Sequence, residues 1–553
     1  MDDQGESGLG PSPCSHQARF FSDFTIKRTI KMPDIVTNSS GTLKPNPRPA
    51  RIDLHAVAWF SLFLLVGGLA VLHPLIVLVC LAAVGALGLC WLVVTYVRRA
   101  DLELWQVFTL VALSGYTVLT RGFENLTLHA GGFPIIVGYV LIYTSLGLAV
   151  FSRRKLVASA LKEPPVLCML ALLVFALLHL AVDFPSYGIW ALRDSTMCLD
   201  GIFMLLGMAW AMKSKNIAFL ARWLVGVYVL NMLYIYTMPW GDKVWSWSPV
   251  SGVFLKVPIL GDFSGAGDIL VDGAMFCLCV GSYLVSRPSW LMPLLAMGQF
   301  LGVAITQGRR QYIGTVIVLV ILALLGEGKR FAKLLVLIPS AVIVIFLVTS
   351  LGGFKIAGRI GEVNLDFFAA HLRSVQTSEG TPGSAVESRF DMADQAFRHF
   401  SAHPVLGEGF GQPLLTDIDE TNGAVTRIPH NSSLTYLARL GLVGFFLWIT
   451  FHFLLIKRFI SVLRHRSSSD DKLVSAFVLW LFLFYVLFVN VSLVEGPFEF
   501  PSGAVPFYFF MGFALGLMRW HLSDKNKRQN RASAFVEHKG SLIANQARAG
   551  EFA

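Results

Sequence analysis

Long apolar segments separated by short polar connections fill the chain from about residue 54 to residue 520. A helix that crosses the hydrocarbon core of a membrane needs about 20 mainly apolar residues. The pattern therefore predicts an all-α polytopic membrane protein with about fourteen transmembrane helices, and no fewer than twelve. The predicted spans are 54–72, 74–97, 104–120, 134–151, 166–182, 195–212, 219–238, 268–286, 290–305, 313–326, 334–350, 434–456, 473–493 and 504–520.

The composition narrows the class further. Residues of the set AVILMFWYC make up 55% of the chain and charged residues only 14%, against about 25% charged residues in an average soluble protein. A soluble enzyme of several domains is excluded, because too little charge is present to cover its surface. The 45 Lys and Arg exceed the 35 Asp and Glu, which gives a net charge of +10. These cations stand in short clusters between apolar segments, so we expect contact with membrane lipids and no nucleic-acid partner.

The positions of Lys and Arg predict the orientation of the spans. Short cytoplasmic connections carry an excess of Lys and Arg, and that excess falls on alternate connections when the N-terminus is cytoplasmic. Both termini are then expected in the cytoplasm. The predicted divisions are a disordered cytoplasmic tail at 1–53, spans one to eleven at 54–350, a large external loop at 351–433, spans twelve to fourteen at 434–520, and a basic cytoplasmic tail at 521–553.

The external loop is not of low complexity. Phe390, Phe397 and Phe400 recur at helical spacing, which predicts an amphipathic helix over 388–402 that ends before a proline. The glycine-rich segment Gly407–Gly411 follows. We expect a turn whose glycines adopt positive φ, in preference to a cradle for phosphate.

Two external arginines, Arg309 and Arg310, stand between closely spaced spans, where the charge rule makes them rare. They suit either of two roles, which are anchoring to lipid phosphates or binding an anionic substrate group through the planar guanidinium fork. Arg193 stands beside Asp194 at the mouth of the sixth span. It is either a snorkelling side chain paired with its neighbour or part of the same kind of site.

His430 ends the external loop directly before an apolar helix. A neutral imidazole titrates near physiological pH and can take a proton from a hydroxyl group. The residue types alone favour this role no more than a helix cap at Asn431 or Ser432 beside an idle histidine. His399 and His403 are four residues apart, but a proline disturbs that turn. The sequence therefore predicts no metal site.

Three segments carry patterns of fixed spacing, namely T-Q-G-R, an arginine-led helix with a P-x-x-G-x-G turn, and H-N-x9-G-x-x-G. They are Thr306–Arg309, Ser388–Gly411 and His430–Gly444. In type and order, over roughly 300–456, they resemble the O-antigen ligase family, whose superfamily also holds Wzy-type O-antigen and exopolysaccharide polymerases. Gly308 stands where the family usually has Ser, and the N-terminal half agrees only in hydropathy and in the segment Leu192–Asp194.

The resemblance implies a GT-C-like glycosyltransferase at the periplasmic face of a bacterial inner membrane, which uses no metal and no other cofactor. The donor would be a glycan on undecaprenyl diphosphate. The acceptor would be a sugar hydroxyl on lipid A–core, for lipopolysaccharide, or on a growing glycan. The family usually has twelve spans, so two of the predicted fourteen would be peripheral additions.

Under this resemblance, His430 is interpreted as the general base for the attacking hydroxyl, giving inversion at C1 by one displacement. In the absence of a metal, arginine side chains must neutralise the charge that develops on the leaving diphosphate. The first candidates for that role are Arg309 and Arg389, and the residues expected to bind substrate are Arg193, Arg310 and Asn431.

Three alternatives stay open. A Wzy-type polymerase and a protein O-oligosaccharyltransferase would use the same residues and differ only in the acceptor. A transporter of lipid-linked glycan, from another functional class, would also explain the many spans. It would not need a structured external loop that ends in His430.

Overall fold

The computed structural model describes residues 102–519 with interruptions. The predicted spans 54–72 and 74–97 and both predicted tails lie outside the described residues. The interruptions are 131–132, 213, 254–256, 264, 285–289, 348, 350–355, 360, 364–383, 416–417, 420–423, 426 and 465–471.

The described residues are mostly helical, which confirms the predicted fold class at the level of a mostly helical membrane protein. The α-helices are α1 (Leu104–Val118), α2 (Arg121–Glu124), α3 (Val137–Ser152), α4 (Arg154–Ala160), α5 (Pro164–Tyr187), α6 (Ile189–Leu199), α7 (Phe203–Ala211), α8 (Ser214–Ile235), α9 (Gly241–Trp247), α10 (Ala266–Phe276), α11 (Leu291–Thr306), α12 (Arg309–Leu324), α13 (Gly328–Phe346), α14 (Ser384–Ala402), α15 (Ser432–Arg464), α16 (Lys472–Ser492) and α17 (Pro501–Arg519).

Short antiparallel strand pairs lie in three of the connections between helices. Each pair joins strands that are adjacent in the chain, so no strand crosses the helical bundle. Within the described residues the pairs are β1 (Thr127–Ala130) with β2 (Phe133–Ile136), β3 (Val250–Ser251) with β4 (Val257–Pro258), and β5 (Ile418–Asp419) with β6 (Ala424–Val425).

In the described part of the chain, six helices are long and apolar enough to cross a membrane. Twelve of the fourteen predicted spans fall in this part, and each coincides with helix over most of its length. Several of these helices are shorter than a full span, so the count of fourteen stays a prediction. The six are Pro164–Tyr187, Asn216–Ile235, Ala266–Leu284, Ser432–Arg464, Lys472–Ser492 and Pro501–Arg519.

Three predicted spans differ in detail. The span 134–151 begins with strand β2, which pairs back on β1 before α3 starts. The span 195–212 is not one continuous α-helix, because a 3₁₀ turn separates α6 from α7. The span 434–456 lies within α15, but Gly441 adopts φ 59° and ψ −161° and breaks that helix into two segments.

Polar contacts at the two ends of α5 show its direction relative to α15. Glu163, directly before α5, lies 2.8 Å from Arg458 near the end of α15 and 3.2 Å from Arg519 at the end of α17. Near the other end of α5, Asp183 accepts a hydrogen bond of 2.7 Å from the backbone N–H of Phe410. Helices α5 and α15 are therefore antiparallel, and the start of α15 lies at the end of the bundle opposite Glu163.

Candidate functional site

At the break in α15, the backbone of Gly441 packs against the backbone of Gly407. Gly441 has φ 59° and Gly407 has φ 78°, both in the region that favours glycine. A Cβ atom on Gly441 would lie 2.5 Å from the backbone nitrogen of Gly407 and from the carbonyl carbon of Val405. The segment Pro404–Gly411, which we call the glycine turn, therefore packs directly on the α15 backbone, and the prediction of positive φ in this turn is confirmed.

Hydrogen bonds complete this contact. The N–H groups of Glu408 and Gly409 donate to the carbonyl groups of Ala438 and Arg439, each at 2.9 Å, and the N–H of Leu442 donates to Pro404 at 2.9 Å. The helix break would otherwise leave these backbone groups without intrahelical partners. The glycine turn thus fixes the first segment of α15, which follows His430.

A buried ion cluster holds the other side of the glycine turn. Asp194 on α6 lies 2.8 Å from Arg439, and the two side chains are only 3% and 1% exposed. Asp194 also accepts a hydrogen bond of 3.1 Å from the N–H of Gly411, and Arg427 lies 3.6 Å from the same carboxylate. This cluster ties α6, the turn and α15 together, so Asp194 has a structural role.

His430 and Asn431 directly precede α15. His430 has φ 49°, which is uncommon for a residue with a side chain. The Asn431 side chain accepts a hydrogen bond of 3.1 Å from the N–H of Leu434 and donates one of 3.0 Å to the carbonyl of Leu493. The predicted helix cap at Asn431 is therefore present, and its amide group is engaged on both sides.

One carboxylate, that of Glu495, gathers three of the predicted site residues. Its oxygens lie 3.2 Å from Nδ1 of His430, 2.7 Å from Arg310 and 3.8 Å from Arg389. Arg310 lies 2.9 Å from a second carboxylate, that of Asp268. These contacts join the start of α15, the start of α12, helix α14 and the connection after α16.

The charge of Glu495 is stabilised by these neighbours. Burial by itself would raise the pKa of its carboxyl group, but the contacts with His430, Arg310 and Arg389 lower this pKa to about 2. Glu495 is therefore ionised throughout the physiological pH range. Because the carboxylate faces Nδ1 of His430, Nε2 is the ring nitrogen left for another partner.

A cavity of about 290 Å³ opens beside this cluster. Part of its lining is aromatic and aliphatic and comes from α16 and α17, with Phe484, Leu487, Phe488 and Phe510. Another part is charged. The basic and acidic residues of this part are Arg121, Asp268, Asp272, Arg310, Arg359, His430 and Glu495.

Two of the predicted residues lie elsewhere. Arg309 is the first residue of α12, beside Arg310, and it is half-buried. Arg193 lies within α6, its guanidinium 5.5 Å from the ring centroid of Trp190, and not before that helix as the predicted span 195–212 implied. Neither arginine is among the described residues that line the cavity.

The sequence analysis missed Glu495, Asp268 and Arg359. Glu495 follows α16 and Asp268 stands in the first turn of α10, so both are acids at the ends of apolar helices. The rule that singled out Arg309 would also have found them. Arg359 gives no such signal, because it lies among the other charged residues of the long loop.

The arrangement suits a ligand with an anionic head and an apolar part. Arginine side chains can bind phosphate groups through paired hydrogen bonds, and an imidazole oriented by a carboxylate can accept a proton from a hydroxyl group. Within the described residues, no group of three His, Cys, Asp or Glu side chains could hold a metal ion.

Comparison with known proteins agrees with the sequence patterns. Residues 294–449 match the family model described as O-Antigen ligase, a range that contains Arg309, Arg310, Arg389 and His430. No curated protein matches the chain. The resemblance of the three segments is thereby confirmed. Residues 294–449 of this membrane protein therefore form a domain similar to the O-antigen ligase family.

Proposed function

We propose that the protein transfers a glycan from undecaprenyl diphosphate to a sugar hydroxyl at the periplasmic face of the inner membrane. The observation that carries this proposal is the meeting of His430, Arg310 and Arg389 at Glu495, beside a partly apolar cavity. The transfer needs a general base and phosphate-binding cations, and the imidazole and guanidinium groups that could supply them lie within one group of contacts.

The volume of the cavity limits which part of the donor it can hold. Its 290 Å³ lies near the lower limit of small-molecule pockets, which is about 300 Å³. It can hold a head group and the first part of a lipid, but not a whole polyprenyl chain. The remaining chain would leave past Phe484 and Phe488 into the membrane.

The proposed reaction is one displacement. The acceptor hydroxyl gives its proton to Nε2 of His430, and its oxygen attacks C1 of the donor sugar. The bond from C1 to the diphosphate oxygen breaks with inversion, and that oxygen keeps the electron pair. Glu495 stabilises the resulting imidazolium. Arg309, Arg310 and Arg389 stabilise the leaving diphosphate, since a cation near a developing negative charge lowers the barrier.

The experiment uses the purified full-length protein in lipid nanodiscs, with an undecaprenyl-diphosphate-linked glycan as donor. His430→Ala should reduce transfer by about 10²–10⁴, the usual contribution of a general base. The matched control is His403→Ala, an exposed histidine of the same loop, which should retain wild-type transfer. Full transfer by His430→Ala would remove the base assignment.

Arg309 is tested by a change that keeps its charge. Arg309→Lys loses the planar fork that donates two hydrogen bonds to phosphate, so transfer should fall strongly. The control is Arg398→Lys, on the exposed side of α14, where Arg398 pairs with Asp394 at 2.6 Å. Wild-type transfer by Arg309→Lys would favour anchoring to lipid instead.

The glycans made by a strain that lacks this protein identify the acceptor. Loss of capped lipopolysaccharide while long free polymer is still made would identify a ligase. Accumulation of single repeat units would identify a polymerase. Movement of the lipid-linked glycan across the membrane without transfer would contradict the proposed reaction and support a transporter.

A further inference from the structure

A turn of the long loop is fastened to the end of α11 by one side chain, that of Gln307. The amide nitrogen of Gln307 donates to the carbonyl of Gly361 at 3.0 Å, and the N–H of Gly361 donates to its amide oxygen at 3.2 Å. The N–H of Arg359 donates to the carbonyl of Ile305 at 3.2 Å. Gln307 is only 1% exposed, so the clamp is shielded from water.

Gln307, which directly follows α11, has a left-handed backbone conformation with φ 53° and ψ 30°. In the described part of the chain, the residues other than glycine with positive φ are Thr120, Gln307 and His430, at 48°, 53° and 49°. Thr120 and His430 line the cavity. Such backbone conformations carry a cost in free energy for residues with a side chain and cluster at functional sites. Of these three positions in the described part of the chain, two line the cavity and the third holds the Arg359 turn.

Arg359 extends from that turn into the lining of the cavity, and its side chain is exposed. Its situation differs from that of Arg310, which has the two carboxylates Asp268 and Glu495 beside it at 2.9 and 2.7 Å. A diphosphate that approaches Arg310 meets those two negative charges as well. Further cations on the cavity wall make this approach more favourable, and Arg121 and Arg359 both line the cavity.

We propose that Arg359 is a further binding residue for the diphosphate group of the donor and that Gln307 is its positioning residue. This proposal rests on the proposed function. The glutamine of the T-Q-G-R segment then has a purpose separate from that of Arg309, because it sets the place of a cation that lies 52 positions further along the chain.

The experiment measures kcat and KM for the lipid-linked donor with the full-length protein in nanodiscs. Arg359→Ala should raise the donor KM by about 10- to 100-fold, the effect of losing a hydrogen bond to a charged group. Arg359→Lys should recover part of the loss. Arg398→Ala, which removes an arginine from the same loop but not from the cavity, should have wild-type constants.

The positioning role is tested by a double-mutant cycle. If Gln307 acts through Arg359, Gln307→Ala should raise the donor KM, and the double variant should be no worse than Arg359→Ala within about twofold. Independent effects that multiply would overturn the positioning role. Gln307→Glu provides a second variant: it keeps an acceptor for the N–H of Gly361 but replaces the donor with a buried negative charge that faces the carbonyl of Gly361, so the donor KM should rise here as well.

Binding of three probes separates this proposal from the proposed function. Undecaprenyl diphosphate, undecaprenol and inorganic diphosphate are titrated against wild type and Arg359→Ala. The proposal expects weaker binding of undecaprenyl diphosphate by Arg359→Ala and unchanged binding of undecaprenol. A loss for inorganic diphosphate as well would indicate that the phosphates alone suffice for recognition by Arg359. An active protein with a wild-type KM in Arg359→Ala would sink this inference and leave the proposed function standing, whereas a wild type without transfer would sink the proposed function.

Discussion

The contact between Gly441 and Gly407 makes a quantitative prediction for Gly441→Ala. The new methyl group would meet backbone atoms of Gly407 and Val405 at 2.5 Å, and backbone atoms cannot rotate away as a side chain can. Overpacking of this kind costs about 1–3 kcal/mol, and the φ of 59° adds about 1–3 kcal/mol of strain for a residue with a side chain. We therefore expect a loss of about 2–6 kcal/mol in the free energy of unfolding.

The assay is thermal unfolding of the purified protein in nanodiscs, combined with glycan transfer. For a chain of 553 residues, a loss of this size should lower Tm by about 2–5 °C. It should also reduce transfer, because the glycine turn fixes the segment of α15 that follows His430. Expression and membrane insertion are measured in parallel, so that a failure to fold is itself recorded.

Gly147→Ala is the matched control. Gly147 lies in α3 with no heavy atom within 4 Å of the added methyl group, and alanine is the better helix former. Its Tm should be unchanged or slightly higher. A wild-type Tm and wild-type transfer for Gly441→Ala would refute the backbone contact from which the estimate was made.

Three further changes test other contacts. Asp194→Asn leaves Arg439 buried without its charge partner and should cost about 3–5 kcal/mol, measured as a fall in Tm; an unchanged Tm would show that the pair is not buried. Glu495→Gln should reduce kcat, since His430 loses the carboxylate that faces Nδ1. Because the pKa of Glu495 is lowered from 4.5 to about 2, its ionised form stabilises the fold above pH 4.5 and this contribution fades as the pH falls towards 2. The Tm difference between wild type and Glu495→Gln should therefore close in that window, and a constant difference would contradict the assignment. Asn431→Ala should lose about 1 kcal/mol as a lost helix cap with an unchanged donor KM, whereas a raised KM would support substrate binding by its amide.

The helices and the glycine turn could be predicted from the sequence because both depend on local requirements. A span needs a run of apolar residues of fixed length, and this run is visible in α5, α16 and α17 without any knowledge of their neighbours. The amphipathic helix predicted at 388–402 is found as Ser384–Ala402, and the glycines of the turn adopt the predicted positive φ. The H-N-x9-G-x-x-G and T-Q-G-R patterns were likewise sufficient to predict the similarity to the O-antigen ligase family over residues 294–449.

The partners of the site residues were decided only by the tertiary structure. Glu495 lies 65 positions after His430 and 185 after Arg310 in the chain, and no local pattern gives their distances of 3.2 and 2.7 Å. The contact between the Gln307 side chain and the turn that holds Arg359 could not be predicted either, because it joins two segments that are far apart in the chain. Hydropathy measures how each residue transfers between water and lipid, which is a property of that residue alone. A shared carboxylate or a clamped turn depends on which helix ends the packing brings together, and that is a property of the whole bundle.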